Sequence, residues 1–190
     1  TDPSNVDQPY PFIVTTFDFN GNDVIVSGYN GKINISNDGG SSWRNKNYSV
    51  GNNQYNFYSI YALKGTQKVW TGCNGGMMMY SSNRGANWVM QPTSASNAIY
   101  DIDMFNSSTG YVTGGNAFAG VGYIFKTTNN GTNWNSLTIP TPNYQLNTAD
   151  FVDENTGWIV GGLPFNSGSV ISKTTNGGIN WTNQTTTPVY

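Results

Sequence analysis

Eight residues, Ser36-Asn37-Asp38-Gly39-Gly40-Ser41-Ser42-Trp43, return three times along the chain, at 81–88, 127–134 and 174–181. Each copy places a hydroxyl residue, then Asp or Asn, then Gly, then Trp at fixed offsets. The four sets are Ser36, Asp38, Gly40 and Trp43; Ser81, Asn83, Gly85 and Trp88; Thr127, Asn129, Gly131 and Trp134; Thr174, Asn176, Gly178 and Trp181. Successive tryptophans lie 45, 46 and 47 residues apart. A fixed period in this range marks repeated supersecondary units stacked side by side.

The chemistry of the motif explains the pattern. An Asp or Asn side chain bonds backbone N–H groups just ahead of it in an Asx turn. Gly two places later adopts the positive φ that a tight loop needs. Trp then opens the next strand and buries a large ring carrying one N–H donor. The result is a hairpin pinned by its own side chains and anchored at its exit, with the four tryptophans expected in the core.

Around each box the chain reads as short strands. In the first unit these are residues 12–19, 24–29, 32–36 and 43–49, with Asn30-Gly31 a two-residue hairpin signal between the middle two. The same order recurs before Trp88, Trp134 and Trp181, and no segment has helical periodicity. This predicts an all-β fold of four four-stranded antiparallel blades of about 46 residues. The expected blades are 11–54, 55–97, 98–144 and 145–190, preceded by a linker or leader over 1–10. Trp70 and Trp158, in second strands, are expected in the core, as is at least one of Met77, Met78 and Met79.

The box resembles the Asp-box, or BNR, repeat of sialidases and related β-propellers, Ser-x-Asp-x-Gly-x-x-Trp. Residues 36–43 match every defined position, whereas the other copies carry Asn83, Asn129 and Asn176 in place of Asp. The segment Asn155-Thr156-Gly157-Trp158-Ile159-Val160-Gly161-Gly162 before the last box is similar to repeats of YCF48-like photosystem assembly factors. The resemblance implies a β-propeller. Because each unit holds all four of its strands and none is left to be shared, the expected form is an arc of a larger propeller, or one completed by a partner. A closed four-blade ring is the alternative.

Composition removes several function classes. Histidine is absent, and with it the commonest general base and neutral metal ligand. Eight basic residues stand singly in a chain of net charge −2, so there is no basic surface for nucleic acid. No apolar run reaches the ~18 residues of a membrane span. Cys73 is a single cysteine in a strand-like segment and reads as a small buried residue. The Asn- and Thr-rich composition resembles exported bacterial surface proteins, and the expected location is extracellular or at the cell surface.

Catalytic readings fare poorly. A sialidase needs three arginines converging on a carboxylate, and this chain holds only Arg44 and Arg84, both at boxes. A glycosidase needs two carboxyl groups across a sugar bond. Asp18, Asp103 and Asp150 recur at one repeat position, as residues serving the blade do; Asp101 and Glu154 break the repeat, with nothing to bring them together. The box lacks the ligand spacing of an EF-hand calcium loop. No catalytic residue, cofactor or metal is therefore expected. The expected function is a recognition or assembly scaffold binding protein or glycan through the loops opposite the boxes. Phe118 and Phe165, each in a longer loop, join Tyr29 and Tyr144 as candidate contacts. The alternatives are a fragment of a sialidase- or xyloglucanase-like hydrolase, or a subunit of a surface filament or envelope complex that self-associates through exposed blade faces.

Overall fold

In the computed structural model, residues 15–19, 22–50, 53–140, 144–163 and 168–184 are described. The expected leader and Phe165 lie outside them. Four four-stranded antiparallel sheets follow one another in chain order. The first holds β1 (Thr15–Phe19), β2 (Asp23–Ser27), β3 (Lys32–Ser36) and β4 (Arg44–Asn47). A two-residue ribbon, β5 (Ser49–Val50) with β6 (Asn53–Gln54), leads to the second sheet. That sheet is β7 (Phe57–Ala62), β8 (Val69–Cys73), β9 (Met78–Ser81) and β10 (Val89–Met90). The third is β11 (Ala98–Met104), β12 (Gly110–Asn116), β13 (Val121–Thr127) and β14 (Asn135–Leu137). The fourth is β15 (Gln145–Phe151), β16 (Gly157–Gly162), β17 (Ser169–Thr174) and β18 (Thr182–Asn183). The only helical turn among the described residues is a 3-10 turn at Asn74–Gly76.

The boxes form the hairpins between third and fourth strands, and their hydrogen bonds repeat closely. The Ser36 hydroxyl accepts the N–H of Gly40 at 2.8 Å, and Asp38 Oδ1 accepts that of Ser42 at 2.8 Å. Ser81 and Asn83, Thr127 and Asn129, and Thr174 and Asn176 make the same pair of bonds. One side-chain oxygen at the second position serves this backbone bond. Asn supplies it as well as Asp, which is why the residue varies without loss of the turn. The Gly of each box has φ between 77° and 89°, and the residue before it is also left-handed: Gly39, Arg84, Asn130 and Gly177.

Packing between sheets makes three cores. Ile25, Ile33, Ile35, Phe57, Val69 and Met79 fill the first joint. Trp70, Met78, Ile99, Val112 and Phe125 fill the second, and Tyr111, Ile124, Leu146 and Ile159 the third. Met78 and Met79 are buried in the second and first cores, and Met77 packs partly buried against the first. Burial pushes the Cys73 thiol up, leaving it a fully buried inert group.

Three of the four box tryptophans pack backward, onto the blade before their own: Trp88 in the first joint, Trp134 in the second, Trp181 in the third. Their indole N–H groups find no protein acceptor. This geometry corrects the expectation that all four are core. Trp43 has no preceding blade among the described residues and is 46% exposed. The indoles also stand one residue before the outer strand, not at its first position. Trp158, also expected in the core, is half-buried, with the Lys173 ammonium 4.9 Å from its ring centre.

Inner strands meet in chain order, β1 on β7, β7 on β11 and β11 on β15. The four sheets do not close into a ring, which removes the four-blade ring alternative. Carboxylates tie the third inner strand to the fourth. Asp103 accepts the N–H of Phe151 at 2.7 Å, and Asp101 accepts the N–H of Ala149 at 2.9 Å and the Thr148 hydroxyl at 2.6 Å. These bonds occupy donors that a sheet edge otherwise leaves open.

Candidate recognition surface

Antiparallel connectivity puts the β2–β3, β8–β9, β12–β13 and β16–β17 turns at one end of the blades and the boxes at the other. The first end carries a line of tyrosines. Tyr29 meets Tyr58 edge to face at 5.8 Å, and Tyr58 meets Tyr100 in the same way at 5.4 Å. All three are half-buried and stand on consecutive blades.

Tyr29 precedes the hairpin signal. Asn30 and Gly31 take φ of 58° and 70°, as a two-residue turn with both centres left-handed requires. Tyr58 and Tyr100 occupy β-bulges: the register of β7 on β8 slips between Phe57 and Ser59, and that of β11 on β12 between Ile99 and Asp101. A bulge re-aims its extra residue away from the ladder. In the fourth blade the bulge residue is Asn147. It lies beside a cavity of about 510 Å³ lined by Gln145, Asn147, Ala117, Leu163 and Ser169.

Phe118 stands next to this cavity. The third blade's insertion mostly lengthens β12 and β13, leaving a short turn over 117–120. Asn116 Oδ1 pins that turn by accepting the N–H groups of Phe118 and Ala119, while Gln145 Oε1 accepts the N–H of Ala117. Phe118 is held at the tip and is 80% exposed. Tyr144, half-buried at the same end, lays its ring over Gly168 and packs against the third core.

The structure therefore places Tyr29, Tyr144 and Phe118 at the expected end, together with Tyr58 and Tyr100. Sequence reasoning passed over those two because both look like ordinary strand residues. One signal marks them. Phe57 and Ile60, Ile99 and Ile102, and Leu146 and Ala149 are buried pairs three residues apart, where unbroken alternation gives two.

The carboxylates are engaged elsewhere. Asp101 and Asp103 hold the fourth inner strand, and Asp153 accepts the N–H groups of Asn155 and Thr156. Burial pushes Asp103 up to about 6, with Asp150 and Asp101 adding to the rise and the Phe151 N–H opposing it. Among the described residues no three His, Cys, Asp or Glu side chains gather to hold a metal ion. No helix of the described residues is long and apolar enough to cross a membrane.

Solved structures share this arrangement. The chain aligns with YCF48 bound to D1 peptide at TM-score 0.68 and 18% identity, covering 94% of this chain and 55% of that one. It aligns with an ancestral GH74 enzyme at TM-score 0.66 and 21% identity, covering 85% of this chain and 22% of the enzyme. A GH74 xyloglucanase from Xanthomonas campestris gives TM-score 0.63 and 12% identity, over 86% of this chain and 28% of the enzyme. The blades are those of a β-propeller. The chain spans about half the length of the YCF48 structure and about a quarter of the GH74 enzymes. No family model matches the sequence, and no curated protein matches it.

Proposed function

We propose that this propeller segment is a non-catalytic scaffold of an exported or cell-surface protein. Its turn end, bearing Tyr29, Tyr58, Tyr100 and Phe118, receives an extended polypeptide segment of a partner. The observation that carries this reading is the edge-to-face tyrosine line across three blades. In each edge-to-face contact one ring gives a face to its neighbour's edge, which fixes the three rings in a line whose hydroxyls can bond a polypeptide backbone. Exposed aromatic anchors beside polar side chains suit a protein ligand. Gln145 and Asn147 supply such groups at the line's end. The YCF48 relative is itself bound to a peptide.

The hydrolase-fragment reading rests on likeness to GH74 folds, and fold does not carry activity. Its chemistry needs two carboxyl groups free to face a sugar bond, whereas Asp101 and Asp103 hold the neighbouring inner strand.

The test probes the purified chain with a displayed random-peptide library and, separately, a neutral-glycan array. Peptides are expected to be retained, with retention lost in Phe118→Ser and Tyr58→Ser and thermal stability little changed in Phe118→Ser. Release of sugar from the array, or glycan retention with no peptide retained, would overturn the proposal.

A further inference from the structure

At the opposite end of the molecule, the first joint departs from the other two in a way that points to a ligand. The residue three places after each box tryptophan meets the box of the next blade. In the second joint this is Gln91, whose Nε2 donates to the Asn130 carbonyl at 2.9 Å. In the third it is Leu137, packed against Gly178. In the first joint the corresponding residue is Lys46, and the place is open: a cavity of about 470 Å³ lies between Lys46, Arg44, Asn37, Asp23 and the second box.

This cavity gathers an unusual share of the chain's charge. Both arginines and Lys46 line it, in a molecule with only eight basic residues, against the single carboxylate of Asp23. The three cations occupy positions held elsewhere by neutral residues. Where Arg44 stands, the later blades have Val89, Asn135 and Thr182; where Arg84 stands, the other boxes have Gly39, Asn130 and Gly177. Arg84 keeps a left-handed φ of 57°, a conformation that glycine and asparagine adopt more easily. The repeat alone requires none of these charges.

The two arginines are also held in place. Arg84 pairs with Asp23 at 2.6 Å. Asn37 donates to the other Asp23 oxygen at 2.8 Å and accepts from Arg44, linking the two guanidinium groups through one relay. Lys46 is exposed and makes no hydrogen bond or ion pair among the described residues. Beyond Lys46 the cavity continues into a groove of about 260 Å³ walled by the half-buried rings of Tyr48 and Trp88.

We infer that this joint is a binding site for an acidic sugar, with a hexuronate carboxylate received by Lys46 and the two arginines and the sugar ring lying along Tyr48. Two guanidinium groups held in place, with an exposed ammonium beside them, offer charge-assisted hydrogen bonds to a carboxylate. An amide-lined cavity continuing into an aromatic wall matches a ligand with one anionic group and a hydroxylated ring. The cations lie at the box end, apart from the polypeptide surface proposed above; Tyr48, whose N–H bonds the Gly31 carbonyl, is the part of the site nearest to that surface.

The test is a titration of the isotopically labelled chain followed by NMR, using sodium glucuronate, with glucose and sodium sulfate as controls. Glucuronate is expected to shift the Arg44, Arg84, Lys46 and Trp88 side-chain signals saturably. Glucose, lacking the charge, should not bind, and sulfate, lacking the ring, should bind about tenfold or more weakly, a difference of one strong contact. Lys46→Gln and Arg84→Asn install residues that the second and third blades already use, so both should fold normally. Each is expected to weaken glucuronate about tenfold or more. Unchanged glucuronate affinity in these variants, equal binding of glucose, or sulfate binding as well as glucuronate would each overturn the assignment.

Discussion

Where the third blade meets the fourth, Tyr111 stacks on Phe151 with ring centres 3.5 Å apart, and Trp181 stands edge-on to Phe151 at 6.2 Å. The Tyr111 hydroxyl, pushed up to about 12 chiefly by burial, donates to the carbonyls of Glu154 and Gly177. Where the first blade meets the second, the same region is held by the Arg84–Asp23 ion pair and opens into a cavity. Both joints receive a box with the same internal hydrogen bonds and the same left-handed pair of residues. The hairpin is therefore a local unit whose geometry does not depend on what it docks against. That independence leaves the joint free to vary: one is sealed by aromatic rings and another is lined with charge.

The largest test of this contrast is the box tryptophans themselves. Trp134→Ala should destabilise the fold by about 3–5 kcal/mol, as large-to-small changes in a packed joint do. Trp43→Ala, at an indole 46% exposed, should cost roughly 1 kcal/mol or less. Urea unfolding of the two variants compares them directly, and equal losses would break the backward-packing rule. A smaller effect separates the joints. Tyr111→Phe, which removes the hydroxyl shared by the Glu154 and Gly177 carbonyls while Lys126 still donates to Gly177, should cost about 1 kcal/mol. Arg84→Gly should stay within about 1 kcal/mol of wild type. Relief of the left-handed backbone offsets the loss of an ion pair whose arginine side chain is 39% exposed.

Two pH experiments sharpen the comparison further. Asp103 has its folded pKa raised to about 6, so its carboxylate is disfavoured by the fold. Folding then takes up a proton between the unfolded value near 3.8 and about 6. Stability from this group is greatest at the acid side of that window and falls as pH rises through 6. Asp103→Asn, whose Oδ1 still accepts the Phe151 N–H, should remove that fall and raise the urea midpoint at pH 7. Asp38 runs the other way. The Ser42 hydroxyl and N–H, with the Ser36 hydroxyl, hold its carboxyl at about 2. Its contribution is present above 3.8 and is lost as pH drops toward 2. Asp38→Asn, which keeps the turn bond that the other boxes make with Asn but loses the acceptor of the Ser42 hydroxyl, should lower the urea midpoint at pH 7 and show a shallower acid limb.

Much of the architecture was legible in the residue string because the box is short-range. Its bonds join residues four apart or closer, so hydroxyl, Asx, Gly and Trp at fixed offsets determine the turn, and their period determines four all-β blades. The Asn30-Gly31 hairpin, the burial of Cys73 and the methionine run follow from equally local rules. What the string withheld depends on neighbours distant along the chain. Trp43 and Trp134 occupy the same place in the motif, yet only the presence of a preceding blade decides which one is buried. Tyr58 and Tyr100 sit at bulges that slip the strand register, and Tyr144 covers Gly168, a neighbour more than twenty residues away. Arg44, Lys46 and Arg84 come from two different blades, and only the packing of one sheet on the next brings their charges to one cavity. The sequence by itself determined the repeated unit, since a hairpin is closed by its own atoms; tertiary structure alone decided the sites, since they lie where one unit ends and another begins.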